Sequence, residues 1–296
     1  MPHIPPFRPD ARLFPFESRW FESQVGPVHY LDEGPADPDA PPLLLLHGNP
    51  TWSFVWRGVV IRLRDRFRCI VPDLPGFGCS VRPEGFAYRP NELAEIVQGL
   101  VRHLDLHDLT IAGQDWGGPL GLRVAVDELP RLRALVMGNT WYGPIDTWTL
   151  KAFAYAISSE PLQDRILHGN LLVERLLPLG VKLPLADEVL DHYREAQASP
   201  RMRAGAAALP RQLLEATDWL ADLAEDVAEH LPNVPLLLAW GMKDRAFPPA
   251  HMDRFREDFR LVRVVRLDAR HFIQEDAPAE LAQAIAAFLI DGPTAA

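Results

Sequence analysis

Of the residues able to do covalent chemistry, Asp115 has the most informative neighbours. It is the middle of Gly113-Gln114-Asp115-Trp116-Gly117, after the apolar run LTIAG and before a segment of helical spacing. A strand, a tight turn and a helix in that order project the central side chain, and small flanking residues let the turn close. A carboxylate so placed is a nucleophile at neutral pH and can displace a leaving group from saturated carbon, giving an ester. The plainer reading, a cap on the following helix, would need no partners.

Partners stand elsewhere in the chain. LLLLHGNPTWSFVWR puts His47, Gly48, Asn49 and Pro50 just past an apolar run, where a backbone N–H can face a developing oxyanion. Asp244 follows LLLAWG, and His271 follows the next apolar run, VRVVRLDA. Singly, Asp244 could cap a turn and His271 could be a satisfied polar group. Together the three give a nucleophile, an acid and a base, each at the end of a separate run.

The elements that must position them alternate. Apolar runs at 43–47, 68–73, 109–115, 133–139, 234–241 and 261–269 are bounded by Gly, Pro or Asp, as parallel strands buried on both faces are. ELAEIVQGLVRHLDL and AELAQAIAAFLI repeat apolar residues at three and four, as helices do. The pattern predicts an α/β fold: a mostly parallel, doubly wound sheet. Between about 141 and 214 no strand-like run occurs and four helical segments follow one another, more than one crossover requires. Residues 1–140 and 215–296 are therefore expected to form a core domain, and 141–214 a helical cap over the carboxyl ends of the strands.

Composition narrows the classes. Hydrophobic residues are 48% and charged ones 24% of 296, which excludes disordered and coiled-coil chains. A net charge of −10 with no dense basic cluster argues against nucleic acid and anionic lipid. The two cysteines, Cys69 and Cys79, read as free thiols in a reducing compartment, and no signal-like or membrane-spanning run is visible. A cytoplasmic location is expected. The 29 prolines fall at segment ends and in an opening arm, not in one tract. His103 and His107, four apart, lack the Glu of a zinc motif, and with LAEDVAEH they read as solvated helix surface.

At HGNPTWSFVWR, DLPGFGCS, GQDWGG, WGMKD and HFIQEDAP the chain resembles haloalkane dehalogenases, over its whole length apart from the cap. The order Asp115, Asp244, His271 is that of the α/β-hydrolase triad. The resemblance implies that Asn49 and Trp116 donate hydrogen bonds to the halogen and then to the halide. Asn139, Thr140 and Trp141 stand where another subgroup has its catalytic Glu, so the chain looks most like the subgroup with an Asp-His-Asp triad plus Asn and Trp. It implies hydrolysis of a haloalkane to alcohol, halide and proton through an Asp115 alkyl ester, with His271 activating water. The partners implied are a small halogenated alkane, water and halide, with no cofactor and no metal. Self-association is a further expectation from the resemblance.

Three rivals bear on this reading. An epoxide hydrolase would share the Asp nucleophile and use acidic hydroxyls, for which the cap offers Tyr155 and Tyr193; Asn49 and Gln114 depart from that family's usual aromatic and His. A haloacid enzyme would carry Arg where Trp116 stands. A silent binding module would have lost part of the triad. Trp148, Phe153, Phe247 and Phe272 are candidates for an apolar wall around the substrate, about half of which would be expected to line it.

Overall fold

A computed structural model describes residues 7–37 and 39–292, so the first six residues of the opening arm lie outside it. One eight-stranded sheet organises the chain, in the order β1-β2-β4-β3-β5-β6-β7-β8. The strands are β1 (Arg19–Ser23), β2 (Gly26–Glu33), β3 (Pro42–Leu46), β4 (Arg68–Pro72), β5 (Leu109–Gln114), β6 (Leu132–Gly138), β7 (Leu236–Gly241) and β8 (Val262–Leu267). The last six are the apolar runs of the sequence, pairing parallel to one another. β1 and β2 form an antiparallel hairpin, and β2 pairs antiparallel with β4. That hairpin is not evident in the sequence, because β1 is only half-buried at the sheet edge and the buried stretch of β2, Val28 to Leu31, is interrupted by His29 and so forms no continuous apolar run.

The helices follow from the same burial logic. α1 (Arg57–Leu63) and α2 (Pro90–His103) follow β3 and β4, and α3 (Gly117–Asp127) follows β5. Between β6 and β7 come α4 (Trp148–Ser158), α5 (Glu160–Gly169), the one-turn α6 (Leu177–Leu179), α7 (Asp187–Glu195), α8 (Ala204–Glu215) and α9 (Thr217–His230). α10 (His251–Asp258), α11 (Ile273–Asp276) and α12 (Pro278–Asp291) complete the chain. Leu43 to Leu46 of β3 are fully buried, and burial of each side chain contributes about 1.5–3 kcal/mol. α2 ends at His103, so His103 and His107 do not share a helix face, and both are exposed.

Strand order decides where a site can form. β3 lies between β4 and β5, so the chain leaves the sheet in opposite directions from neighbouring strands, opening a crevice at their carboxyl ends. Asn49 and Asp115 emerge there. The helical segment is bonded across this end: the Asn49 amide donates to Ala206 O on α8 at 3.1 Å, Gln197 donates to Pro50 O at 2.7 Å, and Phe272 N–H donates to Gly180 O at 3.0 Å.

Cys69 and Cys79 are free and buried, as expected, and burial pushes both thiols up, that of Cys69 to about 12. No helix among the described residues is long and apolar enough to cross a membrane.

A buried polar knot ties β2 to the loop after β4. His29 and Asp73, both fully buried, pair at 2.8 Å through Nδ1 and Oδ2. Asp73 also accepts from Ser53 N–H at 2.7 Å and from Cys79 N–H at 2.8 Å, while the His29 ring reaches Ser18 Oγ at 3.0 Å. Burial opposes the Asp73 carboxylate, but His29 and these donors hold its pKa below the ordinary value. Asp73→Ala would leave three buried groups without their acceptor. Chemical denaturation should show it destabilised by about 3–5 kcal/mol, and a change under 1 kcal/mol would mean that the knot is not structural.

Candidate active site

Asp115 occupies the turn between β5 and α3 at φ 52°, in the left-handed region, as a strand-to-helix elbow requires. Its flanking glycines are obligatory. A Cβ on Gly113 would lie 2.3 Å from Gly117 O, and one on Gly117 would lie 2.3 Å from Leu46 O. The turn is pinned by Asp115 N–H donating to Asn139 O at 3.1 Å, and by Thr140 Oγ1 donating to Asp115 O at 2.6 Å.

All five residues singled out in the sequence meet here. Asn49 N–H donates to Asp115 Oδ1 at 2.7 Å, and the adjoining Trp116 backbone N–H favours the Asp115 carboxylate electrostatically. His271 Nε2 stands 3.7 Å from Asp115 Oδ2, and His271 Nδ1 is 2.9 Å from Asp244 Oδ2. The Asp115 and His271 side chains each keep 13% exposure, so they are sheltered without being sealed. Among the described residues the Trp116 indole N–H has no hydrogen-bond partner, and Asn49 Nδ2 uses one of its two hydrogens on Ala206. Two side-chain N–H donors, on residues whose backbone adjoins the nucleophile, are therefore uncommitted.

The charges interlock. Burial pushes the Asp115 carboxyl above its ordinary value, opposed by His271 and by the two backbone donors. Burial also opposes the Asp244 carboxylate. The His271 ring, Ala246 N–H at 2.7 Å and the Asn139 amide at 2.9 Å nevertheless hold Asp244 below the usual range. For His271, burial disfavours the cation, and the attraction of Asp244 and Asp115 outweighs it, so its pKa is raised above that of an ordinary histidine. An aromatic wall surrounds the ring: Phe247 lies 5.7 Å and Phe272 4.7 Å from it, centroid to centroid. Trp141 stacks on Phe247 and meets Trp116 edge-on at 4.9 Å.

Other expectations resolve differently. Trp148 is 80% and Phe153 43% exposed on α4, so of the four wall candidates only Phe247 and Phe272 are buried beside the triad. Neither tyrosine of the epoxide reading is poised over Asp115. Tyr155 is 67% exposed, while buried Tyr193 donates its hydroxyl to Glu275, itself held by Arg57 at 2.5 and 2.9 Å. His47 is structural: burial pushes its pKa down, its Nδ1 bonds Gly48 O at 2.9 Å, and its Nε2 accepts from Leu74 N–H at 3.0 Å. One cluster of possible metal ligands occurs among the described residues, His29, Asp73 and Cys79; His29 Nδ1 is already paired with Asp73, whose carboxylate also accepts from the Cys79 backbone N–H, and none of the three belongs to the triad.

Two residues of the site were not assigned a role from the sequence. Asn139, at φ 40°, joins three parts: its carbonyl accepts from Asp115, its amide N–H groups reach Gly241 O and Asp244, and its Oδ1 accepts from Gly241 N–H at 2.7 Å. Gln114 is fully buried with its amide nitrogen 3.0 Å from His271 Nε2. Both lie at the carboxyl ends of strands, which is the signal that could have found them.

The geometry agrees with what known proteins show. Residues 41–278 match the alpha/beta hydrolase fold family model. The chain is 48% identical over 281 residues to haloalkane dehalogenase 2 of Mycobacterium tuberculosis, covering 94% of this chain and 97% of that protein. It is 29% identical to a cis-3-alkyl-4-alkyloxetan-2-one decarboxylase of Shewanella oneidensis, over 96% of this chain and 92% of the relative. The crystal structure of haloalkane dehalogenase DbeA from Bradyrhizobium elkani superposes with a TM-score of 0.85 at 26% identity, over 93% of this chain and 98% of that one. The elbow carboxylate, the imidazole behind it and these likenesses lead to one conclusion: this chain belongs to the haloalkane dehalogenases, hydrolases of the α/β-hydrolase fold that act on carbon–halide bonds.

Proposed function

We propose that the chain hydrolyses a small neutral haloalkane in two steps on Asp115, under a cap formed by residues 141–214. The observation that carries this reading is the pairing of the elbow carboxylate with His271 at 3.7 Å, next to two uncommitted N–H donors. In the first step Asp115 Oδ2 attacks the halogen-bearing carbon, the carbon–halogen bond breaks with its electron pair, and an alkyl ester forms. The leaving halide has lost its water. The N–H groups of Trp116 Nε1 and Asn49 Nδ2 stabilise it more than they stabilise the neutral substrate, which is the differential binding that lowers a barrier.

In the second step water attacks the Asp115 carboxyl carbon while His271 Nε2 takes its proton. Asp244 orients the ring and stabilises the imidazolium. The oxyanion rests on the backbone N–H groups of Asn49 and Trp116, the former already 2.7 Å from Oδ1. Collapse expels the alkoxide, which takes the proton from His271. Alcohol, halide and a proton are released and the carboxylate is restored. Esterification also removes the Asp115 charge, one of the two that raise His271, so the ring becomes a freer base when it is needed.

Halide release from terminal bromo- and chloroalkanes tests the reading, with styrene oxide and a cis-3,4-dialkyloxetan-2-one as controls for the other chemistries. His271→Phe should release one halide per site and stop, its intact mass increased by the alkyl group; turnover of the controls alone, or an unmodified His271→Phe chain, would refute it. Trp116→Phe, which removes only the indole donor, should slow halide release roughly a hundred- to a thousandfold. An unchanged rate would show that the indole N–H is not directed at the halide.

A further inference from the structure

His271 has a third polar neighbour that the two steps above do not use. Gln114 ends β5 and is fully buried. Its Nε2 lies 3.2 Å from the His271 carbonyl oxygen and 3.0 Å from His271 Nε2. A carbonyl can only accept, so this contact fixes the nitrogen end of the amide toward His271 and leaves its second hydrogen for the ring. Gln114 Oε1, at the other end, is buried without a partner among the described residues. The orientation thus leaves an acceptor unsatisfied to present both donors to one residue.

The ring's own chemistry completes the argument. Nδ1 faces the Asp244 carboxylate at 2.9 Å and so carries the proton of the neutral imidazole, which makes Nε2 a lone pair. That lone pair accepts from Gln114. Were Nε2 protonated, two N–H groups would point at each other. The charged groups facing the ring are Asp244 and Asp115, both of which favour the cation, and its other neighbours, Phe247 and Phe272, are apolar. Unopposed, the two carboxylates would draw a proton onto Nε2 and pair it with Asp115, taking both nucleophile and base out of use.

We propose that Gln114 is a positioning residue that keeps the resting His271 neutral, by donating to the lone pair that a proton would otherwise occupy. The proposal rests on the dehalogenation reading given above. A hydrogen bond to the neutral form lowers a histidine's pKa, so removing it raises the pH below which activity is lost.

The test is the pH profile of steady-state halide release from a bromoalkane by the wild-type chain, by Gln114→Met, of similar length but without the amide, and by Gln114→Glu. The acid limb should move up by about one pH unit in Gln114→Met and further in Gln114→Glu, with the alkaline plateau retained. Limbs coincident with the wild type, or a profile reduced equally at all pH, would overturn the proposal and leave dehalogenation standing. A wild-type chain silent toward haloalkanes would overturn both. Nitrogen NMR of the wild-type imidazole at alkaline pH gives a check independent of the variants: the Nδ1–H tautomer supports the proposal and the Nε2–H tautomer refutes it.

Discussion

Asp115 is held at φ 52°, where a residue with a side chain is strained by about 1–3 kcal/mol, and much of the surrounding structure serves to keep it there. β3 and β5 run side by side, with Leu46 opposite Gly113, so that Gly117 can pass over Leu46 O where no Cβ would fit. The turn just past β6 supplies Asn139 and Thr140, which bond the N–H and the carbonyl of Asp115. The same crowding aims the carboxylate into the crevice where the strand order reverses. The backbone conformation of this one residue links the sheet topology to the chemistry.

Electrostatics repeats the theme of opposed demands met by position. Two carboxylates flank one imidazole, and each has a different environment. Asp244 is held ionised by the His271 ring, Ala246 N–H and the Asn139 amide, which suits an orienting acid. Asp115 has only two backbone donors and His271 against its burial, which leaves it an oxygen free to react. Asn139, just past β6, contacts both halves, through its main-chain carbonyl to the elbow and through its side-chain amide to Asp244, so a single residue ties nucleophile and acid together.

Much of this was legible in the sequence because the buried parallel strands are continuous apolar runs and the chemistry sits at their ends. The six parallel strands and Asp115, Asp244 and His271 at their ends could be picked out for that reason, whereas the donor roles of Asn49 and Trp116 rest on the family resemblance. The β1–β2 hairpin could not, since β1 is half-buried and the buried stretch of β2 is broken by the polar His29, so neither shows a continuous apolar run. Gln114 and Asn139 carried no role in the sequence because a carboxamide is chemically inert, and its importance depends on what lies within 3 Å. Trp148 and Phe153 show the converse: aromatic residues in a helical segment read equally well as wall or surface, and only the packing of α4 places them outside.

The central claim is that the oxygen delivered to the alcohol comes from Asp115 and not directly from water. A single turnover with enzyme in excess over a bromoalkane, carried out in water enriched in heavy oxygen, tests it most directly. The account predicts an unlabelled alcohol and a heavy oxygen in the peptide containing Asp115. Label in the alcohol of that first turnover, with an unlabelled Asp115 peptide, would mean that water attacks carbon directly and that no ester forms.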